Sequence, residues 1–119
     1  MLNFHKKSGK LSTVTAVHPV ARFGELEIED SNIVKSFSEK SQVNSGWING
    51  GFFVFESKIF ELIADDSTVL EKEPLEWLAN NNELSAFKHD GFWQCMDTVR
   101  ERDHLETIWK SGNAPWKKK

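Results

Sequence analysis

The run Trp47-Ile48-Asn49-Gly50-Gly51-Phe52-Phe53-Val54-Phe55 constrains this chain more than any other stretch. It is apolar, aromatic at both ends and too short for a typical helix, so it reads as a β-strand buried on both faces. Two consecutive glycines inside a strand forfeit side-chain packing and add conformational entropy to be lost. Their presence implies either a bulge or a place where a ligand approaches the backbone closely.

Around that run the remaining elements follow from local pattern. Met1 to Lys10 is polar and basic and offers nothing obvious to bury. Thr13, Val14, Thr15 and Val17 favour a strand over Leu11 to His18, which Pro19 ends. Arg22-Phe23-Gly24 marks a turn, and alternation in Glu25-Leu26-Glu27-Ile28-Glu29 predicts a strand with one wet face and one dry. Asp30-Ser31-Asn32 supplies turn chemistry before a partner strand over Ile33 to Glu39, and Lys40 to Gly46 is a polar loop. Ser57 is placed to cap a short helix to Ala64 that buries Ile59, Phe60 and Ile63. Pro74 opens a second helix that stops at Asn80-Asn81-Asn82. Leu84 to His89 and Phe92 to Met96 read as strands on either side of Asp90-Gly91. Thr98 and Glu101 form a capping-box pattern for a last helix whose buried stripe is Leu105, Ile108 and Trp109, and Gly112 with Pro115 marks its exit. Strands interleaved with helices predict an α/β mixed sheet with flanking helices.

Composition narrows the function classes. The 119 residues suffice for one domain at most, with 39% hydrophobic and 28% charged residues, an ordinary balance for a globular chain. Fifteen basic against eighteen acidic residues leave a net charge of −3, so no basic footprint for nucleic acid is visible. The single Cys95 excludes an intrachain disulfide. With no signal peptide and no apolar run of membrane-spanning length, a cytoplasmic location is expected.

Three places join charge to constrained backbone. Glu39-Lys40 stands at a strand exit, where an acid accepts sugar hydroxyls and an ammonium meets phosphate; it also reads as a solvated ion pair. Asn49 and Gly50 place an amide among glycines, within reach of a polar ligand. Asp97 stands directly before a helix, where a carboxylate is either a cap or a Mg²⁺ ligand, and spacing does not choose between them. The four histidines show no zinc spacing with Cys95 or with one another. No phosphate-binding glycine loop and no nucleophile elbow is present.

The ordered set Arg22-Phe23-Gly24, Phe37-Ser38-Glu39-Lys40, Trp47 to Val54, Glu73-Pro74-Leu75, Gly91 to Thr98 and Trp109 to Lys117 closely resembles glucose-1-phosphate cytidylyltransferases. The likeness runs from about Lys7 to Lys117 and corresponds to the C-terminal part of that family. It implies a Rossmann-like nucleotidyltransferase fold and an Mg²⁺-dependent reaction of CTP with glucose 1-phosphate, giving CDP-glucose and pyrophosphate. The product feeds deoxysugars of bacterial surface polysaccharides, O-antigen included. Carried over by motif, Glu39 binds glucose hydroxyls, Lys40 the sugar phosphate, Asn49 and Gly50 line the sugar site, and Asp97 binds the metal. The family's opening glycine-rich loop and its central metal-binding aspartate have no counterpart here, and Ser41 stands where the family usually has Pro after the Glu-Lys pair. The resemblance therefore implies a single partial domain over residues 1–119 that is inactive alone, without a catalytic residue of its own to name. A non-catalytic interaction or assembly module is the competing expectation. Five tryptophans and nine phenylalanines would then serve self-association or docking with a separate N-terminal half.

Overall fold

The computed structural model describes residues 1–19, 25–38 and 46–118. The turn at Arg22-Phe23-Gly24 and the loop over 40–45 lie outside the described residues. In chain order the elements are helix α1 (Leu2–Ser8), strands β1 (Ser12–Val17), β2 (Glu25–Ile28), β3 (Val34–Ser38) and β4 (Ile48–Phe55), a 3₁₀ helix (Ser57–Leu62), helix α2 (Glu73–Asn80), strand β5 (Leu84–His89) and helix α3 (Val99–Lys110). They fall into two compact units, one of residues 1–17 and 48–89, the other of residues 18–47 and 90–118.

The first unit is built on a three-stranded mixed sheet of order β4-β1-β5, with β1 antiparallel to β4 and parallel to β5. The expected α/β class with a mixed sheet is thus what the chain forms. Its centre is not the aromatic run but β1, whose Ser12, Thr13, Thr15, Ala16 and Val17 are buried. The run Trp47 to Phe55 does form a strand, yet β4 borders only β1 among the described residues, and Phe52 is 64% exposed. The expectation of burial on both faces is therefore corrected. Along one face of β4 Phe53 stacks on Phe55 at 5.2 Å, while Phe52, on the other face, stays exposed.

The glycines of β4 make the expected bulge. Val14 pairs with Phe53 but Ala16 pairs with Asn49, so β4 spends two more residues than β1 over this interval. Gly51 sits at φ +86°, a conformation side-chain-bearing residues rarely adopt. Gly50 is buried, and a Cβ there would come within 2.9 Å of Val17 Cγ1 and 3.0 Å of the Thr15 carbonyl oxygen. The close approach that excludes a side chain is thus made by the chain's own central strand.

The opening decapeptide is the largest departure from expectation. Residues 2–8 form α1, ended by Gly9 in the left-handed region at φ +68°. His5 is buried, its Nε2 donating to Glu56 Oε2 at 2.6 Å and its Nδ1 hydrogen-bonded to the Thr13 hydroxyl at 2.7 Å. Thr13 in turn bonds Ser85 Oγ on β5 at 2.7 Å. Phe4 meets Phe87 edge to face at 5.4 Å, so α1 is fastened to two strands of the sheet by polar and aromatic contacts together.

The short helix expected after β4 is a 3₁₀ helix over Ser57–Leu62, and its cap position is Glu56 and not Ser57, with no side-chain cap bond. Three residues per turn align Ile59 with Leu62 and turn Phe60 outward. Accordingly Ile59 is buried while Phe60 and Ile63 are exposed. Asp65 then closes a turn, its carboxylate accepting from the Ser67 N–H and hydroxyl, which holds its pKa below the ordinary carboxylate value. Helix α2 begins as expected with Pro74 in its first turn, buries Pro74 and Leu78, and packs on β5 and the 3₁₀ helix. The asparagine stop is physical: Asn81 Nδ2 donates to the Trp77 carbonyl, Asn82 takes φ 57°, and the Glu83 N–H reaches the Leu78 carbonyl.

In the second unit β2 and β3 form the expected antiparallel hairpin, turned at Asn32 with φ 66°. The expected dry face is not seen at Ile28, which is 59% exposed on a ribbon of two strands. Residues Phe92 to Met96, read as a strand, are not a strand in the structure and run irregularly into α3. Leu105 and Ile108 are half-buried and Trp109 is 51% exposed, so the predicted stripe is shallower than expected. Trp116 stacks beside Trp109 at 6.4 Å and meets Phe92 at 5.5 Å, which folds the end of the chain back on α3.

Replacing Gly50 by Ala forces Val17 or the Thr15 carbonyl to move, an overpacking that costs about 1–3 kcal/mol. Chemical denaturation should show that loss for Gly50→Ala and little change for Gly46→Ala, where nothing lies within 4 Å of the added carbon.

Candidate functional site

Two of the five residues singled out from sequence, Glu39 and Lys40, lie outside the described residues. Asn49 and Gly50 are adjacent at the bulge of β4 in the first unit, and Asp97 belongs to the second.

At the bulge the extra residues turn the Asn49 carboxamide back along its own strand. Its Oδ1 accepts from the Gly51 N–H at 2.8 Å, and its Nδ2 donates to Glu71 Oε2 at 2.6 Å. An amide bonded through both ends has its orientation set. Asn49 and Glu71 are both exposed. Gly50 contributes by absence of a side chain, because its α-carbon must lie against Val17 and Thr15.

Asp97 does not cap α3. That role belongs to Thr98, whose hydroxyl accepts from the Glu101 N–H at 3.1 Å. The Asp97 backbone N–H donates to Glu101 Oε1 at 3.2 Å, and its side chain is exposed. Glu101 is the organiser of this segment. Its Oε1 also accepts from the Thr98 hydroxyl at 3.1 Å, while its Oε2 accepts from Cys95 Sγ at 2.9 Å and from Gln94 Nε2 at 3.2 Å. One half-buried carboxylate thus holds residues 94, 95, 97 and 98 through charge-assisted hydrogen bonds. The same contact raises the Cys95 thiol above its ordinary pKa: the Glu101 carboxylate accepts the S–H, partial burial adds to this, and the charges of Glu101 and Asp97 oppose the thiolate.

Sequence reasoning missed Glu71 as a neighbour of Asn49, since nothing in Val69-Leu70-Glu71-Lys72-Glu73 separates it from an ordinary surface acid. It found Glu101 as half of a capping box but not its hold on Cys95 and Gln94. His5 was passed over too, although Gly9 after a polar heptad is a helix-stop signal.

Asp97 is the candidate metal residue, and among the described residues no group of three or more His, Cys, Asp or Glu side chains gathers to hold an ion. One solvent-facing carboxylate fits a Mg²⁺ site of the kind completed by substrate phosphates and water, not a closed protein cage.

Residues 1–98 match the family model described as nucleotidyl transferase. The chain belongs to the nucleotidyl transferase family. It is 49% identical to glucose-1-phosphate cytidylyltransferase of Salmonella typhi over 116 residues, 98% of this chain and 45% of that protein. A Bacillus subtilis protein assigned as a glucose-1-phosphate cytidylyltransferase is 39% identical over 118 residues, again 98% of this chain and 46% of its own length. The fold is shared with a Bacillus anthracis crystal structure assigned as a glucose-1-phosphate thymidylyltransferase in complex with a sucrose, at TM-score 0.56 and 14% identity over 99% of this chain and 49% of that one. This chain therefore spans a little under half the length of the curated relatives it matches. Among the described residues no helix is long and apolar enough to cross a membrane.

Glu101→Gln keeps the shape of the side chain and removes its charge. Alkylation of Cys95 by iodoacetamide at pH 8 should then be faster than in the parent, because the thiolate is no longer opposed. An unchanged rate would show that Glu101 does not control this thiol.

Proposed function

We propose that these 119 residues are the sugar-phosphate-binding, C-terminal part of a glucose-1-phosphate cytidylyltransferase, and that they bind glucose 1-phosphate without forming CDP-glucose on their own. The observation that carries this reading is the identity of 49% over 98% of the chain to an enzyme of that name. In this reading the two compact units belong to one partial domain, and the location is cytoplasmic.

Glu39 accepts hydroxyls of the glucose ring and Lys40 offers its ammonium to the phosphate. Asn49 and Gly50 line the ring, the first through its oriented amide and the second by holding the bulge that presents that amide against Val17 and Thr15. Asp97 provides the one carboxylate ligand that this chain contributes to Mg²⁺. When bound, the ion would offset the repulsion between the sugar phosphate and the triphosphate of CTP. The surroundings that would hold the triphosphate are what the chain lacks, which leaves binding and orientation of the acceptor sugar as its part in the chemistry.

A second reading, assembly with another chain, is favoured by one observation. Among the described residues the buried hydrophobic side chains are Ala16, Val17, Ile59, Leu78 and Ala114, while Phe52, Phe60, Met96 and Val99 are each more than half exposed. Exposed apolar side chains of this size suit self-association or docking to a separate chain. Light scattering at high concentration checks it, with a mass above 13.7 kDa expected.

Calorimetric titration with glucose 1-phosphate and Mg²⁺ should give saturable binding. Incubation with CTP, glucose 1-phosphate and Mg²⁺ should yield no CDP-glucose above background. Robust product formation would overturn the claim of inactivity, and a flat titration would overturn the binding assignment.

A further inference from the structure

We propose that Glu71 is a specificity-determining residue of the sugar site, reading hexose hydroxyls together with Asn49; the inference rests on the sugar-binding reading of β4. Its basis is geometric. Glu71 Oε2 lies 2.6 Å from Asn49 Nδ2, and the other end of that amide is pinned by the Gly51 N–H. A sugar hydroxyl is both donor and acceptor. A carboxylate is an acceptor only, and an amide nitrogen a donor only, so the two side by side meet both needs of one hydroxyl, or one need each of two neighbouring hydroxyls.

Glu71 is also held more firmly than a typical surface acid. It lies in a turn closed by the Lys72 N–H on the Val69 carbonyl and by the Leu75 N–H on the Leu70 carbonyl. That turn leads directly into α2, whose Pro74 and Leu78 are among the fully buried side chains. The carboxylate is therefore presented to solvent from a fixed base, opposite a bulge that is itself fixed by the contact of Gly50 with Val17. Such mutual placement of a donor and an acceptor on two rigid elements is what a polyol site requires.

The sign of the effect separates this role from mere proximity. A bystander carboxylate near a phosphate ester repels it, so its removal leaves binding unchanged or tighter. A carboxylate that accepts sugar hydroxyls has the opposite signature: its removal weakens binding of the sugar phosphate and spares inorganic phosphate, which has no ring to read.

Calorimetric titrations of the 119-residue chain with glucose 1-phosphate and with orthophosphate provide the test. Glu71→Gln should weaken glucose 1-phosphate binding about 10-fold or more, the scale of a lost hydrogen bond to a charged group, while orthophosphate binds as before. Glu71→Asp should recover part of the affinity, and Glu73→Gln, a neighbouring exposed acid, should cause no weakening. Since Glu71 is exposed, the melting temperature should not move. Unchanged or tighter binding of glucose 1-phosphate by Glu71→Gln overturns this inference alone. Equal weakening of both ligands overturns it as well, because the residue would then act on the fold or the phosphate. Failure of the parent chain to bind glucose 1-phosphate overturns the sugar-binding reading and this inference with it.

Discussion

A chain of hydrogen bonds from Glu56 through His5 and Thr13 to Ser85 holds the first unit in register. Its members come from the residue after β4, from α1, from the central strand and from β5, so one polar line crosses every layer of the sheet. Such a line succeeds in the interior only when each member is satisfied, since a buried polar group without a partner costs about 1–3 kcal/mol. Here an imidazole with two distinct nitrogens bridges a carboxylate on one side and a hydroxyl on the other, and the hydroxyl has a second partner.

The second unit solves a comparable problem with a carboxylate. Glu101 accepts bonds from Gln94, Cys95, the Asp97 backbone and Thr98, and so fixes an irregular segment directly onto the first turn of α3. This arrangement leaves the Asp97 side chain exposed while its backbone is tied down. A carboxylate presented from a fixed backbone is suited to an ion whose other ligands are water and phosphate. At the bulge of β4 the same logic applies to Asn49, exposed at its side chain and fixed by Gly51 and Glu71. In both places the ordering comes from short-range hydrogen bonds, not from deep burial.

Several elements were legible from residue pattern because their causes are local. Leu84 to His89 is a strand with the bounds read from sequence, Pro74 and the asparagine triplet delimit α2, and Thr98 caps α3 with Glu101 as its partner. The bulge at Asn49-Gly50-Gly51 was legible too, since two glycines in a strand have few other uses. Family membership was readable from ordered motifs and is shown by the match over residues 1–98. What local pattern could not supply was which strand would be central. The aromatic run of β4 is more hydrophobic than Ser12 to Val17, yet the threonine strand lies in the middle, because strand order is set by backbone pairing between segments far apart in the chain, which no local stretch encodes.

The amino-acid sequence by itself determined the turns, caps, glycine positions and strand propensities, each governed by residues within a few positions of one another. Only the tertiary structure decided that His5 would be buried, that Gln94 and Cys95 would bond to Glu101, and that Glu71 would meet Asn49 across 22 positions. The physical reason is that a side chain's hydrogen-bond partner and degree of burial are properties of what the fold brings beside it, and a polar residue carries the same local signal whether it ends in solvent or in a network.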